Sequence, residues 1–140
     1  MIDKEMNMTT FDFGYGPVPA HKHPNGGGWV ADSATVADTA YVGPDAKVFD
    51  DAQVSGNAQV SGNAWVYGNA VVCSDAQVYG DAWVLEDAWV LDDAQVSGNA
   101  RVTGNARVTD NAWVYGDARV SQEDMFIEMN GKRYKLVEVE

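Results

Sequence analysis

Residues 94–120 read AQVSGNARVTGNARVTDNAWVYGDARV, in which valine returns every six residues and alanine stands two residues before it. The same spacing runs back to Val30 without an insertion, so valine occupies every sixth position from Val30 to Val120, sixteen positions in all. Between these strand-like stretches lie pairs such as Gly-Asn and Gly-Asp, which tolerate the left-handed backbone of a sharp corner. Each repeat therefore predicts one short strand followed by one corner.

A helix does not fit this pattern, because a six-residue period does not match about 3.6 residues per turn and the frequent glycines would weaken a helix. In a strand, the pattern Ala-x-Val-x turns alanine and valine to one side and both x residues to the other. Strands this short bury a face only by stacking into a coil. With three strands per turn, the fifteen repeats predict an all-β, parallel β-helix of five turns of 18 residues.

The segments on either side of the repeats are predicted to cover the ends of the coil, where backbone groups would otherwise stay unpaired. Residues 1–28 are predicted to be an N-terminal cap, residues 29–121 the β-helix and residues 122–140 a C-terminal β-hairpin. Asn130-Gly131 is a strong signal for the two-residue turn of that hairpin. The hairpin could close the last turn of its own coil or pair with a neighbouring subunit, and the first arrangement is favoured.

The stretch from Val30 to Val120 resembles the hexapeptide-repeat family, whose members carry an aliphatic residue at every sixth position. The resemblance implies a left-handed parallel β-helix, a hand that the spacing alone does not fix. It also implies a homotrimer and raises the possibility of acyltransferase activity. The short cap and the C-terminal hairpin are similar to those of small accessory proteins of bacteria and their phages.

Assigning every third strand to one wall sorts the outward side chains into columns 18 residues apart. On the first wall the column comprises Thr35, Gln53, Val71, Trp89 and Arg107, with Cys73 and Leu91 beside it. On the second wall it comprises Tyr41, Gln59, Gln77, Gln95 and Trp113. On the third wall it comprises Trp29, Lys47, Trp65, Trp83, Arg101 and Arg119, with Phe49, Tyr67 and Leu85 beside it.

The outward side chains of the third wall predict two functional surfaces. The first is an apolar surface that continues around a corner onto the first wall and comprises Phe49, Trp65, Tyr67, Trp83, Leu85, Val71, Cys73, Trp89 and Leu91. A monomer rarely exposes so much contiguous apolar surface, so we expect a subunit interface there. The second is a crevice in which Trp65, Trp83, Arg101 and Arg119 hold a nucleotide or other planar anion by stacking and ion pairing. The simpler interpretation is that these four residues only pack the interface.

The sequence offers few candidates for catalysis or metal binding. Acyltransferases of the resembled family usually use a histidine as general base, and here only His21 and His23 are available, both in the cap. Zinc-dependent carbonic anhydrases of similar fold use three histidines, which this chain lacks. Corner acids such as Asp92 and Asp93 could attract Ca²⁺, but aspartate also favours corners in its own right. We therefore predict neither a metal nor a cofactor.

Composition and charge exclude several classes of function. A formal net charge of −12 argues against generic binding to nucleic acids, which requires a basic surface. The first residues carry acids where a signal peptide would be basic, and no segment has the length of a membrane span. A lone cysteine, Cys73, forms no disulfide within the chain, so we expect a cytoplasmic protein.

Three classes of function follow from these residues. The leading interpretation is a non-catalytic oligomeric scaffold or binding protein that holds a small anionic or nucleotide ligand between subunits, as a phage accessory protein directed against host defence would. The second is an acyltransferase that uses His21 or His23. The third is a purely structural β-helical rod, for which the strict periodicity would suffice.

Overall fold

The computed structural model describes residues 9–121 and the two strands at residues 126–129 and 132–135. Across these ranges the chain forms twenty short strands, numbered β1 to β20 in chain order, and no helix. The strands that carry the repeats stack in parallel, one turn above the next, with 18 residues per turn. The prediction of an all-β parallel solenoid of about five turns is thereby confirmed, while its left hand stays a prediction from the resemblance.

The coil has three walls, and each wall contains every third strand, as the sequence predicts. The first wall contains β4 (Thr35–Val36), β7 (Gln53–Val54), β10 (Val71–Val72), β13 (Trp89–Val90) and β16 (Arg107–Val108). The second contains β5 (Tyr41–Val42), β8 (Gln59–Val60), β11 (Gln77–Val78), β14 (Gln95–Val96) and β17 (Trp113–Val114). The third contains β3 (Trp29–Ala31), β6 (Lys47–Val48), β9 (Trp65–Val66), β12 (Trp83–Val84), β15 (Arg101–Val102) and β18 (Arg119–Val120).

The interior consists of stacked layers of valine and alanine. Every repeat valine from Val42 to Val108 is completely buried, and the alanines from Ala40 to Ala106 are equally inaccessible. Burying one valine side chain contributes about 1.5–3 kcal/mol before the loss of chain entropy is subtracted. The narrow interior is filled by these two small residue types, and the x residues are left on the outer faces.

From the second turn onward, the corners place their first residue in the left-handed conformation. At the corner that follows the second wall this residue is then glycine, for example Gly80 with a φ of 69°, whereas Pro44 stands there in the first turn. At the corner that follows the third wall an acid alternates with glycine, and Asp50 and Glu86 adopt φ values of 57° and 59°. Their carboxylates accept hydrogen bonds from the next turn, from Gly68 N at 3.1 Å and from Gly104 N at 2.6 Å. These bonds offset part of the conformational cost, about 1–2 kcal/mol, of a left-handed non-glycine residue.

The N-terminal arm, residues 9–28, closes the first turn on two walls. Its strands β1 (Thr10–Asp12) and β2 (Pro17–Lys22) form an antiparallel pair, and β2 pairs with β3 to extend the third wall. On the second wall the Ala40 carbonyl accepts hydrogen bonds from His23 Nε2 at 2.9 Å and from Asn25 Nδ2 at 3.0 Å. The edge of each of these two walls thus has partners from the arm.

At the other end, β19 (Phe126–Met129) and β20 (Lys132–Lys135) pair antiparallel, and β19 pairs antiparallel with β18. The hairpin therefore extends the third wall of its own chain, and Arg119 stands opposite Glu128 in the register. The predicted turn at Asn130-Gly131 lies outside the described residues. Among the residues that the structure describes, no helix has the length and hydropathy that a membrane crossing would require.

Candidate functional site on the third wall

The outward column of the third wall is a ladder of rings and cations. The indole rings of Trp65 and Trp83 lie parallel, with centroids 5.0 Å apart and an interplanar angle of 3°. The Arg101 guanidinium carbon lies 4.1 Å from the Trp83 ring centroid, and Lys47 Nζ lies 6.0 Å from that of Trp65. Parallel pairing of the strands sets this order, because each residue stands in register with the one 18 positions away.

This geometry limits how a ligand could use the two tryptophans. Trp83 is covered on one face by Trp65 and on the other by Arg101, while Trp65 lies between Trp83 and Lys47. A planar ligand that stacked on either ring would have to displace one of these neighbours. The indole edges and the outward N–H groups of Arg101 are therefore the parts of the ladder to which a ligand has access.

A second column of rings lies beside the ladder and is covered by the arm. Phe13 stacks on Phe49 with ring centroids 4.8 Å apart, and Phe49 stacks on Tyr67 with centroids 4.7 Å apart. Phe49 is only 2% exposed. The prediction that Phe49 belongs to an outward surface available to another subunit is therefore wrong, since the chain's own arm covers this ring.

Beyond the arm, the predicted apolar surface remains accessible in the middle turns. Trp83 and Leu85 are half-buried, and Trp89 follows them around the corner with 41% of its surface exposed. The Arg107 guanidinium carbon lies 4.6 Å from the Trp89 ring centroid, in the same arrangement as Arg101 over Trp83. Leu91, half-buried, stands two residues after Trp89 on the first wall. We call the surface formed by Trp83, Leu85, Trp89 and Leu91 the corner patch.

Two tyrosines of this region have perturbed acid–base properties. Partial desolvation of the hydroxyl and the acceptor Asp50 raise the pKa of Tyr15 to about 12, and the hydroxyl donates to the Asp50 carboxylate at 3.0 Å. Burial raises the pKa of Tyr67, and the positive charge of Arg101 opposes this rise. Both hydroxyls therefore stay protonated at neutral pH, and that of Tyr15 acts as a hydrogen-bond donor. The Tyr15–Asp50 contact ties the arm to the corner after the third wall.

The two candidate histidines have different surroundings. His23 is buried, and its Nε2 donates to the Ala40 carbonyl at 2.9 Å, so the ring supports the first turn of the second wall. His21 is exposed, with Nδ1 2.7 Å from a carboxylate oxygen of Asp32. Within the described ranges its Nε2 has no hydrogen-bond partner. Only His21 is thus placed where a substrate could reach it.

The remaining candidates do not converge on one site. Arg119 is exposed and stands in register with Arg101, whereas Cys73 lies half-buried on the first wall. Asn25, Thr39, Tyr41, Asn57 and Gln59 line a shallow polar depression on the second wall. In the part of the chain that the structure describes, no three His, Cys, Asp or Glu side chains are grouped as metal ligands would be.

A family model described as the YdcK beta solenoid repeat matches residues 58–74 and 94–110, both within the coil. The chain is similar to a family of β-solenoid repeats. The matched segments span less than half of the chain and include Trp65, Arg101 and Arg107. This similarity supports a β-solenoid and does not extend to the acyltransferases of the hexapeptide-repeat family. No curated protein and no solved structure matches the chain.

Sequence reasoning missed two features of this region. The first is the position of Phe11 and Phe13, which lie on Trp29 and Phe49. Their alternate spacing signals a strand but carries no information on which wall that strand covers. The second is the stacking of Arg107 on Trp89, which the 18-residue spacing of these two residues could have indicated.

Proposed function

We propose that this protein is a non-catalytic scaffold that assembles with copies of itself, as a homotrimer, and holds a small anionic ligand near the subunit contact. The β-solenoid provides a rigid, elongated support for such an assembly. The observation that carries the proposal is the corner patch, whose tryptophans and leucines remain accessible after the arm has covered Phe49. Apolar surface of this kind usually marks an interaction site.

The anionic ligand is proposed from the arginines of the third wall, beside the corner patch. Arg101 lies on Trp83 and forms no ion pair with any residue whose side chain the structure describes. A nucleotide combines a phosphoryl charge for the guanidinium groups with a base that could contact the exposed ring edges. Sequestration of a nucleotide signal, as a phage accessory protein would perform it, is the biological role that fits this ligand.

Substitution within the corner patch tests the assembly. We expect Trp89→Gln combined with Leu85→Gln to lower the mass measured by light scattering to that of one chain, because the apolar contact is lost. Trp113→Gln is the matched control, since Trp113 is 62% exposed on the second wall and outside the patch. If the double variant keeps the wild-type mass, the corner patch is not the interface.

A panel of nucleotides tests ligand binding by thermal shift. A ligand that binds only the folded protein adds about 2.7 kcal/mol of stability at 100 times its Kd, which raises Tm measurably. A purely structural rod, the third possibility, predicts that no nucleotide changes Tm.

An acyltransferase is the alternative, favoured by one observation. The contact of His21 Nδ1 with Asp32 leaves Nε2 directed away from this partner, as a general base requires. Under this alternative the wild-type chain transfers acetyl groups from acetyl-coenzyme A, and His21→Ala abolishes turnover. His23→Ala would act through folding, because His23 is a buried support of the second wall. If the wild-type chain shows no transfer to a broad panel of acceptors, this alternative fails.

A further inference from the structure

We infer that Arg101 and Arg119 form a clamp for a phosphoryl group on the outer face of the third wall. This inference rests on the proposed function in one respect, that the protein binds an anion, and it names the chemical class of that anion and the residues that hold it. The clamp needs only one chain, because both arginines stand in neighbouring strands, β15 and β18, of the same wall.

Arg101 is held in a defined orientation. Its guanidinium lies over Trp83 at 4.1 Å, and Trp83 is itself fixed by the parallel ring of Trp65. Its Nη1 donates to the Asn99 carbonyl at 3.2 Å, which directs part of the guanidinium toward the corner. A guanidinium has five N–H donors, so others remain for a ligand. Because the neighbouring ring limits its motion, less entropy is lost when these donors bind an anion.

Arg119 brings a second positive charge beside the first. The two arginines are in register, so their backbones lie about 4.8 Å apart, the usual spacing of neighbouring strands. Like charges placed directly opposite each other on a sheet destabilise it, and an anion between them removes this repulsion. The next positions in the backbone register are Glu128 and Arg133.

The charge and shape of this pair favour a phosphoryl group over a carboxylate. One carboxylate satisfies one guanidinium through two parallel hydrogen bonds, whereas a phosphoryl group offers three acceptor oxygens and a charge near −2. Two guanidinium groups on adjacent strands therefore match the phosphoryl group better. Long polyanions such as nucleic acids are disfavoured by the net charge of −12 of the chain. The ligand is thus a small phosphorylated molecule.

The position of the clamp agrees with the distribution of charge along the chain. Six of the nine lysines and arginines lie at or after Arg101, whereas most of the acidic residues precede it. The end of the third wall is therefore the least acidic part of the coil, and a small anion meets less repulsion there than at the earlier corners.

Calorimetric titration with inorganic pyrophosphate and with inorganic phosphate tests the inference, on the full chain at about 0.15 M ionic strength, where exposed charges are largely screened. We expect the wild-type protein to bind pyrophosphate, and Arg101→Gln and Arg119→Gln each to weaken binding at least about tenfold, because each variant removes one charge-assisted contact. Arg101→Lys should also weaken binding, since an ammonium lacks the planar fork. Circular dichroism verifies that each variant is folded.

Arg107→Gln is the matched control, because Arg107 lies on Trp89 as Arg101 lies on Trp83 but belongs to β16, the last strand of the first wall. We expect its affinity to stay within about twofold of wild type, far less than the effect of losing a contact to a charged group. An equal loss in Arg107→Gln would show diffuse attraction and overturn the clamp. Equal binding of succinate would overturn the phosphoryl assignment.

Absence of pyrophosphate and phosphate binding by the wild-type chain also overturns the clamp. In that case a trimeric mass would leave the proposed assembly standing. Conversely, pyrophosphate binding by a chain that is monomeric supports the clamp and removes the proposed assembly. The two failures are thus distinguishable.

Discussion

The interior depends on the size of each inward side chain, because the triangular cross-section accepts only small ones. Val72 points inward and is completely buried, while Val71, on the same strand, points outward and is half-buried. The two neighbours therefore have the same chemistry and the same strand but different surroundings. The stabilising role of a valine in this protein depends on its position in the repeat.

Substitution of each of these valines by alanine separates the two positions. We expect Val72→Ala to lower the free energy of unfolding by about 2–3 kcal/mol, because buried methyl groups are lost and a cavity remains. Val71→Ala should cost less than about 1 kcal/mol, since its side chain is already partly in water. Urea denaturation measures both values, and equal costs would contradict the assignment of inside and outside.

Tyr15 provides a residue-level prediction for pH. Its pKa in the folded protein, about 12, lies above the ordinary value of 10.0, so the folded state favours the neutral phenol. The stability that this contact contributes is therefore fully present below about pH 10 and is lost as the pH rises through about 12. Titration of the tyrosine ring signals by NMR should show one midpoint near 12 that is missing in Tyr15→Phe. A midpoint near 10 would contradict the contact with Asp50.

At the scale of elements, the arm and the coil differ in how they are held. The coil turns are joined by regular backbone hydrogen bonds, whereas the arm adds ring contacts, Phe11 on Trp29 and Phe13 on Phe49, and the Tyr15–Asp50 bond. An element at the end of the coil, held by one strand pairing and a few side chains, can open without unfolding of the whole domain.

Removal of one ring should therefore loosen the arm selectively. We expect Phe13→Ala to increase the hydrogen exchange of the amides in β1 and β2 at least tenfold, because loss of a buried ring costs about 3–5 kcal/mol. The amides of central strands such as β10 and β11 should exchange as in the wild type. Uniform acceleration across the coil would show that the arm and the coil unfold as one unit.

The sequence predicts the strands and walls of the coil better than it predicts which outward side chains are covered by the arm or by each other. The period of Val and Ala places β3 to β18 and their walls, because a six-residue repeat leaves no other way to bury both residues. The covering of Phe49 was not predictable, since the arm has no repeat that would relate Phe13 to a particular wall. The spacing predicts the alignment of Trp65, Trp83 and Arg101. It does not show that these residues cover each other's faces, which leaves no free ring face for a stacked ligand.

At the scale of the whole molecule, charge and apolar surface restrict how copies could meet. The net charge of −12 makes random association unfavourable, so any contact needs a defined apolar surface. The corner patch lies on the middle turns, away from the arm at one end and the hairpin at the other. A lateral contact between coils is therefore favoured over an end-to-end contact, which the arm and the hairpin would obstruct on the third wall.

Sedimentation equilibrium of the wild-type protein over a range of dilutions tests this account of assembly most directly. The chain has a mass of 15.1 kDa, and we predict a single species of three times that mass that persists on dilution to micromolar concentration. A species of one chain mass at every concentration would contradict the self-assembling scaffold and leave the corner patch without the role proposed for it.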